Sequence, residues 1–136
     1  MGPSAVAGPH RVRALSGKGV APVQVSSRPP AVDHSWFALE ITGAPPRATV
    51  RAIGELDMLT APRLERELER LRGHGYCDID LDIAGLTFVA AAGLSAFVRC
   101  DHRLRAEAGR FRLVGPTPRC RRLLAITGLD DDLTIA

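Results

Sequence analysis

Hydrophobic and polar residues alternate most regularly between positions 78 and 83, where three aliphatic side chains alternate with three aspartates. A two-residue period of this kind predicts a β-strand. From position 94 onward, apolar residues recur at helical spacing. The stretch from 86 to 97 is therefore predicted to turn from a strand into a helix. Its centre contains only small residues, which are Ala90, Ala91, Ala92 and Gly93, and this leaves the backbone open to the approach of a partner.

Similar patterns predict the remaining elements. The predicted strands cover residues 36–41, 48–53, 77–83 and 111–114, with a possible edge strand at 133–135. The predicted helices begin at Thr60, at about Ala92 and at Thr117, and they end near Gly73, Gly109 and Gly128. The order β-β-α-β-α-β-α-β predicts an α/β domain with a mixed sheet flanked by helices. The sheet is mostly parallel and has an antiparallel edge hairpin, because only a short turn joins the first two strands.

Local sequence supports the helix boundaries. Thr60 and Thr117 are predicted N-caps, and each precedes a proline in the first helical turn, where the missing N–H costs no hydrogen bond. Gly109 fits the C′ position after the second helix. Asp80 stands out, because a central strand with helices on both faces is apolar on both sides. Either this strand is exposed on one face or Asp80 has a partner.

Length and composition favour one globular domain preceded by an arm. The chain has 136 residues, of which 46% are apolar. Residues 34–136 hold all the predicted elements. Residues 1–33 are rich in Gly, Pro, Ala, Ser and Val without periodicity, and we predict that they form a disordered arm. This arm carries four basic side chains and one acidic one, and so accounts for the whole net charge of +3.

Several function classes are disfavoured by these features. The charge of residues 34–136 is balanced, which argues against a nucleic-acid reader. No apolar run approaches the length of a membrane span, and no secretory signal is evident, so we expect a cytoplasmic protein. The arginines at 119, 121 and 122 indicate either a contact with an acidic partner or a solvated face.

The sequence also lacks the usual signatures of catalysis. The aspartates at 78, 80 and 82 do not meet the spacing of a calcium loop, and Ser95 lacks the glycine pattern of a nucleophile elbow. We therefore expect no enzyme, no catalytic residue, no metal, no cofactor and no small-molecule substrate. Three cysteines, Cys77, Cys100 and Cys120, are predicted to be free thiols, although two of them could meet as a redox pair.

Three segments together resemble one family. Residues 54–62 read Gly-Glu-Leu-Asp-Met-Leu-Thr-Ala-Pro and are similar to the entry into the first helix of the STAS domain, the fold of bacterial anti-sigma factor antagonists. Residues 82–94 resemble the central strand of that family and its Asp-Ser-Ser-Gly-Leu turn. Residues 111–129 resemble its last strand and helix. The resemblance covers about residues 36–135, with the segments in the right order and spacing.

The resemblance implies a protein-binding switch. In this family the unphosphorylated antagonist binds a kinase-like, ATP-binding anti-sigma factor and so frees a sigma factor for transcription. The kinase then phosphorylates the second serine of the turn, and the added charge breaks the complex.

This chain departs from the family pattern at the turn. Alanines stand at all three polar positions, 90, 91 and 92, so that position 92 has no hydroxyl to accept phosphate. The resemblance implies a partner-binding surface of nine residues. These are Glu55, Asp57, Met58, Thr60, Ala90, Ala91, Ala92, Gly93 and Leu94.

Three hypotheses follow from the sequence. The first is an anti-sigma factor antagonist that is not switched by phosphorylation at Ala92 and is regulated by other means, such as thiol chemistry or the basic arm. The second is a STAS scaffold or accessory subunit, for example of a lipid transporter, that binds no anti-sigma factor. The third is a sensing module that binds a nucleotide or a lipid in a surface groove.

Overall fold

The computed structural model of the chain describes residues 23–25 and 36–136. Six strands form one sheet in the order β1-β2-β3-β4-β5-β6, with helices in the connections. The strands are β1 (Val23–Val25), β2 (Phe37–Ala44), β3 (Arg47–Leu56), β4 (Asp78–Val89), β5 (Arg110–Val114) and β6 (Thr134–Ile135). The helices are α1 (Ala61–Gly73), α2 (Ala91–Ala106), α3 (Pro118–Ile126) and α4 (Leu129–Asp132).

The strand directions confirm the predicted mixed sheet. β2 pairs antiparallel with both β1 and β3, whereas β3, β4, β5 and β6 run parallel to one another. Each connection between two parallel strands crosses over to the next strand in the same direction across the sheet. Because such crossovers are right-handed, their helices all lie on one face of the sheet.

Burial along the strands shows the two faces of the sheet directly. On β4, Ile79, Leu81 and Ile83 are fully buried, and they join one core cluster with the apolar residues of α1, α2 and α3. The alternate positions, Asp78 and Asp80, remain partly exposed. Among the described residues, the sheet therefore has one face covered by helices and one face that carries charged side chains.

Asp80 has both the exposed strand face and the partner that the sequence offered as alternatives. Its strand is exposed on one face, and its carboxylate accepts two hydrogen bonds from the Arg112 guanidinium, at 2.7 Å from Nε and 2.9 Å from Nη2. The two residues are directly opposite in the register of β4 and β5. A paired, bidentate arrangement explains how an aspartate lies in the middle of the sheet.

Several predicted boundaries differ from the structure. β2 and β3 each end three residues later than predicted, at Ala44 and Leu56. The arm predicted to be disordered contains β1, whose three residues are too few to show a period; the other residues of the arm lie outside the described part of the chain. β4 continues to Val89, because it follows β3 through two register shifts, and the turn shrinks to Ala90. A short helix, α4, follows the predicted end at Gly128.

The end of α2 shows a further correction. Gly109 is not the left-handed residue after the helix; Ala108 takes that conformation, with a φ of 62°. The amide of Gly109 donates to the carbonyl of Leu104 at 2.7 Å, and the amide of Ala108 donates to Arg105 at 3.0 Å. These two bonds form a Schellman motif. Glycine is required at 109 for space, because a Cβ there would lie 2.5 Å from the carbonyl oxygen of Cys77.

Gly54 is the glycine on which the end of β3 depends. Its φ is +109°, and a Cβ on it would lie 2.1 Å from the carbonyl oxygen of Trp36. That same carbonyl accepts the amide of Glu55 at 2.7 Å, which ties the start of β2 to the end of β3. A side chain at position 54 would force these two strands apart.

We predict that Gly54→Ala lowers the free energy of unfolding by about 3 kcal/mol or more, because it adds both backbone strain and a steric clash. Urea denaturation measures this change. Gly73→Ala is the matched control, since a Cβ at position 73 meets nothing within 4 Å; it should be neutral or slightly stabilising. Equal stabilities of the two variants would contradict this role of Gly54.

Candidate functional site

Two loops meet where parallel strands β3 and β4 end. We call residues 55–60, which are the end of β3 and the connection to α1, the β3–α1 loop, and residues 90–94, which are Ala90 and the start of α2, the β4–α2 turn. The amide of Ala90 donates to the carbonyl of Leu56 at 2.8 Å and joins the two loops. The carboxyl ends of adjacent parallel strands are a frequent position for binding sites in α/β proteins. The structure thus brings together the two segments that the sequence predicts to form one surface.

Hydrogen bonds from two polar side chains fix the shape of the β3–α1 loop. The Asp57 carboxylate accepts the amides of Leu59 at 2.9 Å and Thr60 at 3.0 Å. The Thr60 hydroxyl donates to the carbonyl of Glu55 at 2.7 Å and accepts the amide of Asp57 at 2.9 Å. Thr60 is at the N-cap position as predicted, but its side chain makes no capping bond to α1. It holds the loop instead.

The loop directs apolar side chains into solvent. Met58 is 74% exposed and Leu59 is 68% exposed, while Phe88, which is opposite Glu55 in the β3–β4 register, is 46% exposed. Large apolar groups at such exposures are typical of a contact surface when they cluster. We call Met58, Leu59, Phe88 and the alanines 90–92 the apolar rim. Of these, the sequence prediction missed Leu59, which lies between Met58 and Thr60, and Phe88, which is far from Glu55 in sequence and is brought opposite it by strand pairing.

The alanine turn forms the first turn of α2. Ala90 is at the N-cap position without a side-chain capping bond, and no acidic residue follows in the first turn. Ala91 is exposed, and Ala92 is half-buried against the core. The first turn of α2 is therefore small, apolar and uncharged at every side chain.

The last two residues of the predicted surface are buried. A Cβ on Gly93 would lie 2.8 Å from Leu56 and 3.1 Å from Val89, so that only glycine allows α2 to lie this close to β3. Leu94 is 8% exposed and belongs to the core. With Thr60, which is 1% exposed, these residues position the surface, whereas Met58, Leu59 and Ala91 present it.

A groove continues from the turn along α2. It has a volume of about 410 Å³ and runs between α2 and the segment that joins α3 to α4. Its walls are mostly apolar, with two hydroxyls and one guanidinium. The lining residues are Ala91, Leu94, Ser95, Val98, Arg99, Thr127 and Leu129. Because Ala91 belongs to both, the groove and the apolar rim form one continuous surface.

Ion pairs join α2 to α1 beside this groove. The Arg99 guanidinium donates to the Glu65 carboxylate at 3.0 Å from Nε and 2.6 Å from Nη2. The guanidinium of Arg103 lies 3.6 Å from the same carboxylate. The hydrogen bond from Arg99 is the largest cause that lowers the pKa of Glu65 from its ordinary 4.5. Glu65 therefore stays ionised at neutral pH with two cationic neighbours.

The three cysteines are free thiols in different environments. Cys77 is exposed and comes immediately before β4, at the end of that strand opposite the apolar rim. Cys100 on α2 and Cys120 on α3 are buried. Burial raises the pKa of the Cys100 thiol to about 12 and also raises that of Cys120. No disulfide forms among them.

Neither a cluster that could hold a metal ion nor a helix that could span a membrane is found among the described residues. Within residues 36–136, no three His, Cys, Asp or Glu side chains are arranged to hold a metal ion. Within the same range, none of the helices combines the length and the apolar content that crossing a membrane requires.

The chain is similar in sequence to members of one family. A family model described as "STAS domain" matches residues 38–136. The anti-sigma-B factor antagonists of Staphylococcus epidermidis and Staphylococcus aureus are each 34% identical over 82 residues, which is 60% of this chain and 76% of theirs.

Solved structures show the same fold. The crystal structure of an anti-sigma factor antagonist from Mycobacterium paratuberculosis is 26% identical, with a TM-score of 0.65 over 73% of this chain and 84% of its own. The unphosphorylated form of the anti-sigma factor antagonist SpoIIAA is 21% identical, with a TM-score of 0.59 over 74% of this chain and 86% of its own. At that identity the second likeness concerns the fold.

We predict that Thr60→Val lowers the free energy of unfolding by about 1–3 kcal/mol, because it leaves the Glu55 carbonyl and the Asp57 amide without the hydroxyl between them. Thr60→Ser keeps the hydroxyl and serves as the control. Urea denaturation of both variants measures the difference. The interpretation of Thr60 as the residue that holds the loop is wrong if valine is tolerated as well as serine.

We predict that a thiol reagent added to the native protein modifies Cys77 rapidly, while Cys100 and Cys120 react only on unfolding, because burial keeps both protonated and inaccessible. Peptide mapping after timed labelling at neutral pH measures this. Cys77→Ser should abolish the fast phase. Rapid native labelling of Cys100 would contradict its placement in the core.

Proposed function

The chain belongs to the STAS domain family, and on that premise we propose that it is an anti-sigma factor antagonist. It binds a kinase-like, ATP-binding anti-sigma factor and thereby frees a sigma factor for transcription. The proposal is supported by relatives named anti-sigma-B factor antagonist and by the solved structure of an anti-sigma factor antagonist. It places the protein in the bacterial cytoplasm, as a binding protein and not as an enzyme.

The observation that carries the proposal is the apolar rim. Three exposed large apolar side chains and three alanines lie at the ends of β3 and β4 and at the start of α2, where the family resemblance predicts partner contact. Burying such side chains in a complex contributes about 25 cal/mol for each Å² removed from water. The fixed backbone of the β3–α1 loop lowers the ordering cost of binding.

The roles of the nine predicted partner-binding residues then divide into two groups. Met58 and Ala91 contact the partner directly, as do the exposed side chains of Leu59 and Phe88, and Ala90 and Ala92 do so at their exposed edges. The other predicted residues position this surface. Glu55, Asp57 and Thr60 hold the loop, and Gly93 and Leu94 hold α2 against the sheet.

The alanine at position 92 keeps the first turn of α2 uncharged. An alanine methyl group cannot accept a phosphoryl group, so that the first turn of α2 remains in its binding-competent form. Redox control stays a prediction, and the placement of the thiols gives it little support. Cys77 lies at the far end of β4, and the other two cysteines are buried.

The direct test is binding of the purified anti-sigma factor from the same organism to the wild-type protein and to Ala92→Glu. We expect the negative charge to weaken binding about tenfold or more, because it must be desolvated against an apolar contact. Ala92→Gln is the matched control for size and should bind much more tightly than Ala92→Glu. Isothermal titration calorimetry measures all three affinities.

Each contrary result has a defined meaning. If wild type and Ala92→Glu bind equally, the turn is not the interface. If wild type binds no anti-sigma factor, the antagonist proposal fails, and co-purification with membrane transport components would then favour a STAS scaffold or accessory subunit.

A further inference from the structure

Four hydroxyl groups lie around the apolar rim and the groove, and the backbone holds three of them. Thr60 is buried and donates to the carbonyl of Glu55. Thr87 donates to the carbonyl of Gly54 at 3.1 Å. The hydroxyl of Thr127 lies 2.8 Å from the carbonyl of Leu123. Only Ser95 remains.

Ser95 is the hydroxyl that this surface leaves available. Its side chain is exposed, and it makes no hydrogen bond to any residue within 36–136. It is the single serine or threonine of α2. It follows Ala92 by three residues, which places it about one helical turn further along the same side of the helix. It lines the groove together with Ala91.

A cation lies within reach of Ser95 on the same helix. Arg99 follows Ser95 by four residues, so that the two side chains are neighbours on the helix surface, and both line the groove. Arg99 is at present bound to Glu65. Because Glu65 also has Arg103 at 3.6 Å, a second anion could take Arg99 without leaving that carboxylate unpaired.

We propose that Ser95 is a phosphorylation site of this protein and that its modification replaces the switch that Ala92 has lost. The Ser95 Oγ attacks the γ-phosphorus of ATP, and a new O–P bond forms. The bond between that phosphorus and the β,γ-bridging oxygen breaks, ADP leaves with the electron pair, and the hydroxyl proton passes to a base of the kinase. The effect on partner binding, but not the modification itself, rests on the proposed function.

The phosphate changes the groove in two ways. It adds about −1.5 to −2 charge at neutral pH to a surface that is otherwise mostly apolar. It also offers Arg99 a bidentate partner on its own helix, in competition with Glu65 on α1. A partner that covers the groove must then desolvate the phosphate, and we expect its affinity to fall about tenfold or more.

The test begins with the modification. Full-length wild-type protein and Ser95→Ala are expressed in the native bacterium, recovered during growth and after stress, and mapped by tandem mass spectrometry with and without phosphatase. We expect a phosphatase-sensitive phosphate on Ser95 in wild type and none in Ser95→Ala. If Ser95 carries no phosphate under either condition, the proposal is overturned.

The second arm tests the consequence with the purified anti-sigma factor. Ser95→Glu should bind about tenfold or more weakly, whereas Ser95→Gln, which has the same size without charge, should bind like wild type. Circular dichroism and urea denaturation confirm that both variants are folded. Equal affinities of Ser95→Glu and Ser95→Gln would overturn the switch.

Failures of the two proposals are distinguishable. If wild type binds no anti-sigma factor but carries phosphate on Ser95, the antagonist function fails and the modification site stands. If wild type binds the anti-sigma factor and Ser95 is never phosphorylated, only the present inference fails.

Discussion

The hydrogen bond from the amide of Ala90 to the carbonyl of Leu56 is the contact on which the candidate surface depends. It extends the pairing of β3 and β4 by one residue beyond the end of β4, so that the turn after β4 is fixed against the last residue of β3. Gly93 then lets α2 approach Leu56 closely enough to close the junction. Without this junction, the exposed side chains of Met58 and Leu59 would have no defined relation to α2.

At this junction, the residues that fix the backbone differ in type from the residues that face solvent. The parts that set the backbone are polar and hydrogen-bonded, namely Asp57 and Thr60, or are glycines. The parts that face solvent are apolar, and the first turn of α2 has no side chain that can ionise or accept phosphate. Association therefore depends on burial of apolar surface, and a single added charge is the change that opposes it most. The nearest free hydroxyl, on Ser95, is where such a charge can be added.

The sequence predicts most of the fold, because alternating and helical periods report on burial directly. It also predicts that Asp80 needs an exposed face or a partner, and the structure provides both, because this face of β4 is partly exposed and Arg112 pairs with the carboxylate. It misses β1, which has too few residues to show a period, and it ends β4 too early, because the register shifts break the alternation. The family motif selects Thr60, but the sequence cannot show that this residue is buried and positions the loop. The sequence also overlooks Phe88, because its place beside Glu55 depends on pairing between distant segments.

The most direct test of the apolar rim is a methyl-resolved NMR titration of the labelled protein with its anti-sigma factor. The methyl groups of Met58, Leu59 and Ala91 should shift or broaden as the complex forms. Ala108 is a suitable reference, because it is exposed and follows the end of α2 that lies away from the rim and the groove. Perturbation of Ala108 with unchanged rim signals would place the interface elsewhere and contradict the account.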